Sequence, residues 1–199
     1  MPDKTSPTLS YHPKTRAEWR KWLAANHAIS KGIWLILLKK GAEVAGIAYS
    51  DAVEEALCFG WIDGRAATLD TQKYKLYMSP RKPGSVWSKL NKQRIRRLVK
   101  EGHMTSVGLA KIEAAKKDGS WNKLDEIDRL LMPADLLDQL SANAEAKRNF
   151  AAFSTSSKKM IMFWIASAKR DETRQKRIEE TVRLAAQNIK AAHYQKLIK

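Results

Sequence analysis

Cysteine is almost missing from this 199-residue chain: Cys58 stands alone, so no internal disulfide framework can form. With a single thiol and four histidines the composition does not support a structural zinc site, and Cys58 reads as a small buried apolar residue rather than a reactive thiol. Long hydrophobic runs are missing as well. IWLILL and MIMFWIA fall far short of the ~20 apolar residues that span a bilayer. The opening MPDKTSPTLSYHPKT has no apolar stretch of the secretory type, which sets the expectation of a cytoplasmic protein with a disordered tail over residues 1–14. There is no glycine-rich phosphate loop, no H-E-x-x-H, no G-x-S-x-G and no C-x-x-C. His12, His27, His103 and His193 are scattered without a nearby nucleophile. No cofactor and no metal are therefore expected.

Positive charge is abundant. Against 21 acidic residues stand 37 basic ones, a formal net charge of +16, and the excess is uneven along the chain. Residues 81–117 hold 11 basic and 2 acidic groups, residues 118–144 hold 2 and 6, and residues 145–199 hold 13 and 5. Two basic blocks bracket an acidic one. That asymmetry favours anionic partners: an anionic small molecule, an acidic protein surface or nucleic acid. Nothing in the pattern specifies an oligomeric state.

The periodicities predict an α+β fold, a small mostly antiparallel sheet with flanking helices in the N-terminal half, followed by an all-helical C-terminal half. Trp19, Trp22 and Leu23 share a helical face over residues 15–26, which Asn26 is expected to end in a left-handed conformation. GIWLILLKKG reads as a buried strand, and Asp51, three residues before Glu54, as the cap of a helix running to Gly60. WIDGRAATLD and YKLYMSP read as two strands joined by a turn over residues 70–73. After Pro83 and Gly84 the expected helices are 86–100, 105–117, 134–141, 144–153, 158–168 and 171–189. The expected organisation is an α+β region over 15–118 and a helical region over 133–199 packed on it.

Projected at 100° per residue, the 86–100 helix places Trp87, Leu90, Ile95, Leu98 and Val99 on one side, with Lys89, Lys92, Arg96, Arg97 and Lys100 opposite. Asn91 and Arg94 fall inside the apolar sector, where each needs a partner. Arg94 either snorkels or pairs with Asp63 or Glu55, or it helps build an anion pocket with Trp87 and the amides after SPRKPGSVWS. Arg174 likewise lies in line with an apolar stripe of Ile178, Val182, Ala185 and Ile189. MIMFWIASA is apolar nearly all round and reads as a central buried helix, with Lys169 and Arg170 at its C-terminal end. Most of the seven tryptophans are expected in the core. Asp63, in GWIDG, is the best single acid or base candidate, the alternative being a strand-edge aspartate paired with Arg65 or Arg94.

The segments GIWLILLKKG, YSDAVEEALCFGWIDGRA, YMSPRKPGSVWSKLNKQRIRRLVKEGHMT and MIMFWIASAKRDETRQKRIEETV together resemble the YdeI/OmpD-associated family of bacteriocin-protection proteins, from about Pro13 to Leu184. The resemblance implies an envelope-stress setting. Its motif positions here are Trp61, Asp63, Gly64, Arg81, Pro83, Trp87, Ser88, Asn91, Trp164, Lys169, Arg170 and Arg174. The leading expectation is thus a non-catalytic protein that holds an anionic ligand through Arg81, Trp87, Ser88, Asn91, Arg94, Lys169, Arg170 and Arg174. One alternative is sequence-indifferent nucleic-acid binding through Lys89, Lys92, Arg96, Arg97, Lys100, Arg177 and Arg183. The other is an enzyme with Asp63 as acid or base.

Overall fold

The computed structural model of the chain describes residues 9–42 and 46–191, and the fold is α+β. It divides into two compact units that meet between Asn122 and Lys123. The first eight positions of the expected tail lie outside the described residues.

In the first unit β1 (Ser10–Tyr11), β2 (Ile33–Leu38), β3 (Trp61–Thr68) and β4 (Lys73–Pro80) form one sheet in the order β1-β2-β4-β3. The two long pairings are antiparallel, with Trp34 opposite Tyr77 and Asp63 opposite Met78, and β1 runs parallel to β2. β1 is a correction to the expected tail: residues 10 and 11 are ordered by a strand more than twenty residues away, a partner that local composition does not reveal. The β3–β4 turn is built as expected, for the Asp70 carboxylate accepts from the amides of Gln72 and Lys73 at 2.8 and 2.7 Å.

Period-2 alternation divides the sheet. Ile33, Leu35 and Leu37 of β2 and Leu76 and Met78 of β4 enter the core, where they meet α1 (Arg16–Asn26) and α2 (Tyr49–Cys58). Trp19 lies in that core, stacks on Trp22 at 5.2 Å and donates from Nε1 to the carbonyl of Ala52 at 3.0 Å. Two capping expectations fail. α2 starts at Tyr49, so Asp51 sits inside its first turn and meets Arg16 at 3.4 Å instead of capping. Asn26 keeps the chain helical, the next residue having φ −58°, and its amide donates to the carbonyl of Trp22.

α2 also carries two buried carboxylates. Both oxygens of Glu55 are taken, by Arg16 Nε at 2.6 Å and Arg20 Nη1 at 2.7 Å, while Glu54 accepts from Arg16 Nη1 at 3.2 Å and from Arg97 Nη2. The cluster ties α1 and α2 to α3 (Lys89–Lys100). α4 (Ser106–Lys117) then approaches so closely that a Cβ on Gly108 would stand 2.2 Å from the carbonyl oxygen of Cys58. Only glycine fits there. Cys58 itself is buried, and burial pushes its thiol pKa up to about 11, which leaves it inert.

The second unit is helical: α5 (Asp125–Asp128), α6 (Ala134–Ser141), α7 (Ala144–Ala152), α8 (Thr155–Ala166) and α9 (Asp171–Ala186). Its separate core gathers Leu136, Leu140, Phe150, Ile161, Ile165, Ile178 and Ala185. α8 is not buried all round as expected, since Phe163 is 41% exposed while Ile161, Met162 and Ile165 are buried. No helix among the described residues is long and apolar enough to cross a membrane.

Candidate functional site

Where β4 ends, the Arg81 amide donates to the carbonyl of Gly60 at 3.0 Å, which fixes the backbone at the mouth of a loop over residues 82–88. Its side chain turns inward. The guanidinium carbon stands 3.5 Å from the centroid of the Trp87 ring, and Nη1 donates to the carbonyl of Val86 at 3.1 Å. Arg81 is only 3% exposed, yet Nε and Nη2 have no hydrogen-bond partner among the described residues. Burial drives its pKa down to about 10 against the pull of the Asp63 charge, so the group is still a cation at neutral pH. A buried cation with two unused donors is a costly arrangement.

Beside it lies a cavity of about 70 Å³, bounded by Arg81, Pro83, Gly84, Trp87, Ala115 and Ser120. Its rim is held by Asp118, whose carboxylate accepts from the amides of Gly84 at 3.2 Å and Ser120 at 2.9 Å. Trp121 backs Trp87 at 5.1 Å, and Lys92 lies over Trp121 at 5.3 Å. Lys82 and Lys111 border the same opening.

The remaining candidates of this unit do not converge on that cavity. Ser88 caps α3 by accepting from the Asn91 amide at 3.2 Å. Asn91 Oδ1 in turn accepts from Arg94 Nη1 at 2.9 Å, so Arg94 pairs with a neutral amide and not with Asp63 or Glu55. Arg94 also lies 5.9 Å from the Tyr49 ring and borders a separate shallow opening of about 370 Å³ with Glu54, Leu90 and Arg97. Asp63 accepts from the Tyr49 hydroxyl at 2.8 Å. Burial and that bond hold the Tyr49 pKa up near 12.

In the second unit Arg174 makes a two-pronged bond to Asp135, at 2.6 and 2.9 Å. The hydrogen bonds from Arg174 hold the Asp135 carboxyl below its ordinary range. Lys169 and Arg170 are exposed, and Arg170 occupies the residue before α9 rather than the last turn of α8.

Residues 11–111 match a family described as a domain of unknown function, DUF8412, and residues 130–188 match the family described as bacteriocin-protection, YdeI or OmpD-associated. The chain belongs to the DUF8412 family. Its second unit carries the YdeI/OmpD-associated domain, a narrower span than the resemblance of the whole chain implied, because the DUF8412 match covers Arg81, Trp87, Asn91 and Arg94. A search of the curated proteins and of the solved structures gave no match.

The DUF8412 unit also redraws the expected basic face. Its α3 buries Asn91, Lys92, Ile95 and Leu98 and leaves Leu90 and Val99 half exposed. Lys92 is thus not on the surface, its stem and charge being drawn over Trp121. Lys89, Arg96, Arg97 and Lys100 are the exposed cations of that helix, and of these Arg97 is engaged by Glu54. Arg177 is turned onto Trp164, donating to its carbonyl and to Ser167 Oγ, whereas Arg183 is exposed. Among the described residues no group of three or more His, Cys, Asp or Glu could hold a metal ion.

Sequence reasoning missed two members of this site, Asp118 and Ser120, and it offered Glu55 to Arg94 as one alternative where the fold gives it to Arg16 and Arg20. Asp118 and Ser120 act through backbone amides that only the folded loop brings near. The adjacent glutamates were visible, but their burial depends on arginines of two other helices.

Proposed function

We propose that the first unit binds the anionic head of a small ligand, a phosphate or carboxylate group, against Arg81 and Trp87. The observation that carries this reading is the Arg81 side chain, 3% exposed, charged at neutral pH and holding two donors without acceptors beside a cavity of about 70 Å³. A cavity of that size takes two or so water molecules, or one oxyanion group, at about 30 Å³ per water. An oxyanion would neutralise the charge and fill both donors at once, since a guanidinium presents its nitrogens in the fork that carboxylates and phosphates match. Lys82 and Lys111 at the rim add attraction for whatever extends outward. The bacteriocin-protection description of the second domain supports a protective role for such binding rather than a metabolic one.

The test is calorimetric titration of the full chain with inorganic phosphate, a nucleoside monophosphate and a dicarboxylate, in wild type and Arg81→Met. Wild type should bind at least one of them saturably, and the variant at least 10-fold more weakly, about 1.4 kcal/mol. Equal affinity in the two proteins, or no binding by wild type, removes the proposal.

A further inference from the structure

Trp34 is a tryptophan buried outside both hydrophobic cores. It is 7% exposed, yet it belongs to neither cluster, because the alternation of β2 points it to the sheet face opposite the helices. What shields it is charge. The Arg65 guanidinium lies 5.2 Å and the Lys75 ammonium 4.7 Å from the ring centroid, while Tyr77, its cross-strand neighbour, meets it edge-on at 5.4 Å. Arg65 reaches the ring because the β3 register slips between Asp63 and Ala66. Gly32 completes the arrangement: its φ is +149° and a Cβ there would stand 2.2 Å from Tyr77 Oη, so glycine is what lets the tyrosine lie down beside Trp34.

Two aromatic rings on the sheet face opposite the helices, covered by the ends of long cationic side chains, form a stacking platform once those ends swing aside. No side chain that β2, β3 or β4 places on this face is acidic, and Lys73 extends the positive edge opposite Leu38. An acidic peptide would satisfy the cations but leave the rings unused. A base can replace a cation over the ring face, and the displaced Arg65 and Lys75 then reach the phosphates on either side. Stacking of this kind contributes about 1–3 kcal/mol per base and is indifferent to sequence. A duplex hides its base faces, so the platform selects single strands.

We propose that this face, through Trp34, Tyr77, Arg65 and Lys75, binds single-stranded nucleic acid. The site shares no residue with the Arg81 cavity and does not depend on it. The experiment is fluorescence anisotropy of a labelled 15-mer of thymidine with the full chain across 25–200 mM NaCl, with the duplex 15-mer and poly-glutamate as competitors. Wild type should bind the single strand and quench its own tryptophan emission. Arg65→Ala with Lys75→Ala should weaken binding at least 10-fold and flatten the log–log salt slope by about 1.4, two contacts at about 0.7 each. Trp34→Leu should weaken binding at least 5-fold, with Trp34→Phe between it and wild type, far-ultraviolet circular dichroism confirming that each is folded. Lys89→Ala with Lys100→Ala should leave affinity within 2-fold. The idea is overturned if wild type does not bind, if duplex or poly-glutamate competes as well as the single strand, or if folded Trp34→Leu or Trp34→Phe binds like wild type.

Discussion

A tyrosine hydroxyl half withdrawn from water and donating to a carboxylate holds its proton well past the ordinary tyrosine range. Tyr49 is such a group: burial first, then its 2.8 Å bond to Asp63, raise its pKa to about 12. The folded value lies above the unfolded one near 10, so the stabilisation tied to this proton is complete below about pH 10 and is lost as pH rises through 12. Arg81 behaves in the opposite sense: its folded value is depressed, so the burden of its buried charge is full below pH 10 and is relieved above it. Phenolate absorbance, taken as wild type minus Tyr49→Phe, should therefore show a midpoint near 12. Asp63→Asn should lower that midpoint without restoring it to 10, because burial is the larger cause. A midpoint near 10 in wild type would show that the hydroxyl is not engaged. Asp63 was legible as an unusual aspartate from its place in GWIDG, but its partner was not. Tyr49 comes from the start of α2, and a helix N-terminus is set by capping and packing that a linear pattern locates only loosely.

At the scale of elements, α2 joins the first unit together, packing on α1, α3, α4 and β3. Its Glu55 is 3% exposed and accepts from two arginines of α1, so truncating it would remove one acceptor from each, while Arg16 keeps Glu54 and Asp51 and Arg20 keeps the carbonyl of His103. Glu55→Ala should destabilise the protein by about 1.5–3 kcal/mol in urea unfolding, the range for hydrogen bonds to charged groups, because the two arginines keep water and other acceptors. Glu113→Ala, whose 2.7 Å bridge to Lys116 is exposed, should cost less than about 1 kcal/mol. Equal small effects would show that the burial of Glu55 does not matter. Helix existence was readable from apolar spacing, and α6 falls on the residues expected of it, Ala134–Ser141. Helix azimuth was less so. On α3 the wheel weighs residue type alone, so it turned Leu90 and Val99 inward. In the fold, Lys92 reaches Trp121 and Asn91 binds Arg94, and these polar contacts rotate the buried face away from Leu90 and Val99.

For the whole molecule, the acidic block between residues 118 and 144 spans the change from one unit to the other, and a basic block lies on either side of it in the sequence. The α+β half and the helical half follow from where period 2 gives way to period 3.6, which made the fold class legible. The anion site was less so, because Arg81 lies in a loop and has no periodicity to violate. It entered the reading only through the family resemblance. Each unit has its own hydrophobic cluster, with Trp19, Leu35, Leu57 and Met78 in one and Leu136, Phe150, Ile165 and Ile178 in the other. A chain with two separate cores can be cut between them without opening either, provided no strand or helix is severed, and Asn122–Lys123 lies between α4 and α5. The fragment ending at Asn122 should therefore fold alone, showing the near-ultraviolet tryptophan circular dichroism of packed Trp19, Trp61 and Trp87 and one cooperative urea transition. A fragment ending at Lys100, which removes α4 and so uncovers Cys58 and Trp87 together, should lose that signal. If the fragment ending at Asn122 unfolds without cooperativity, the two cores are not independent and the second unit is needed to complete the first.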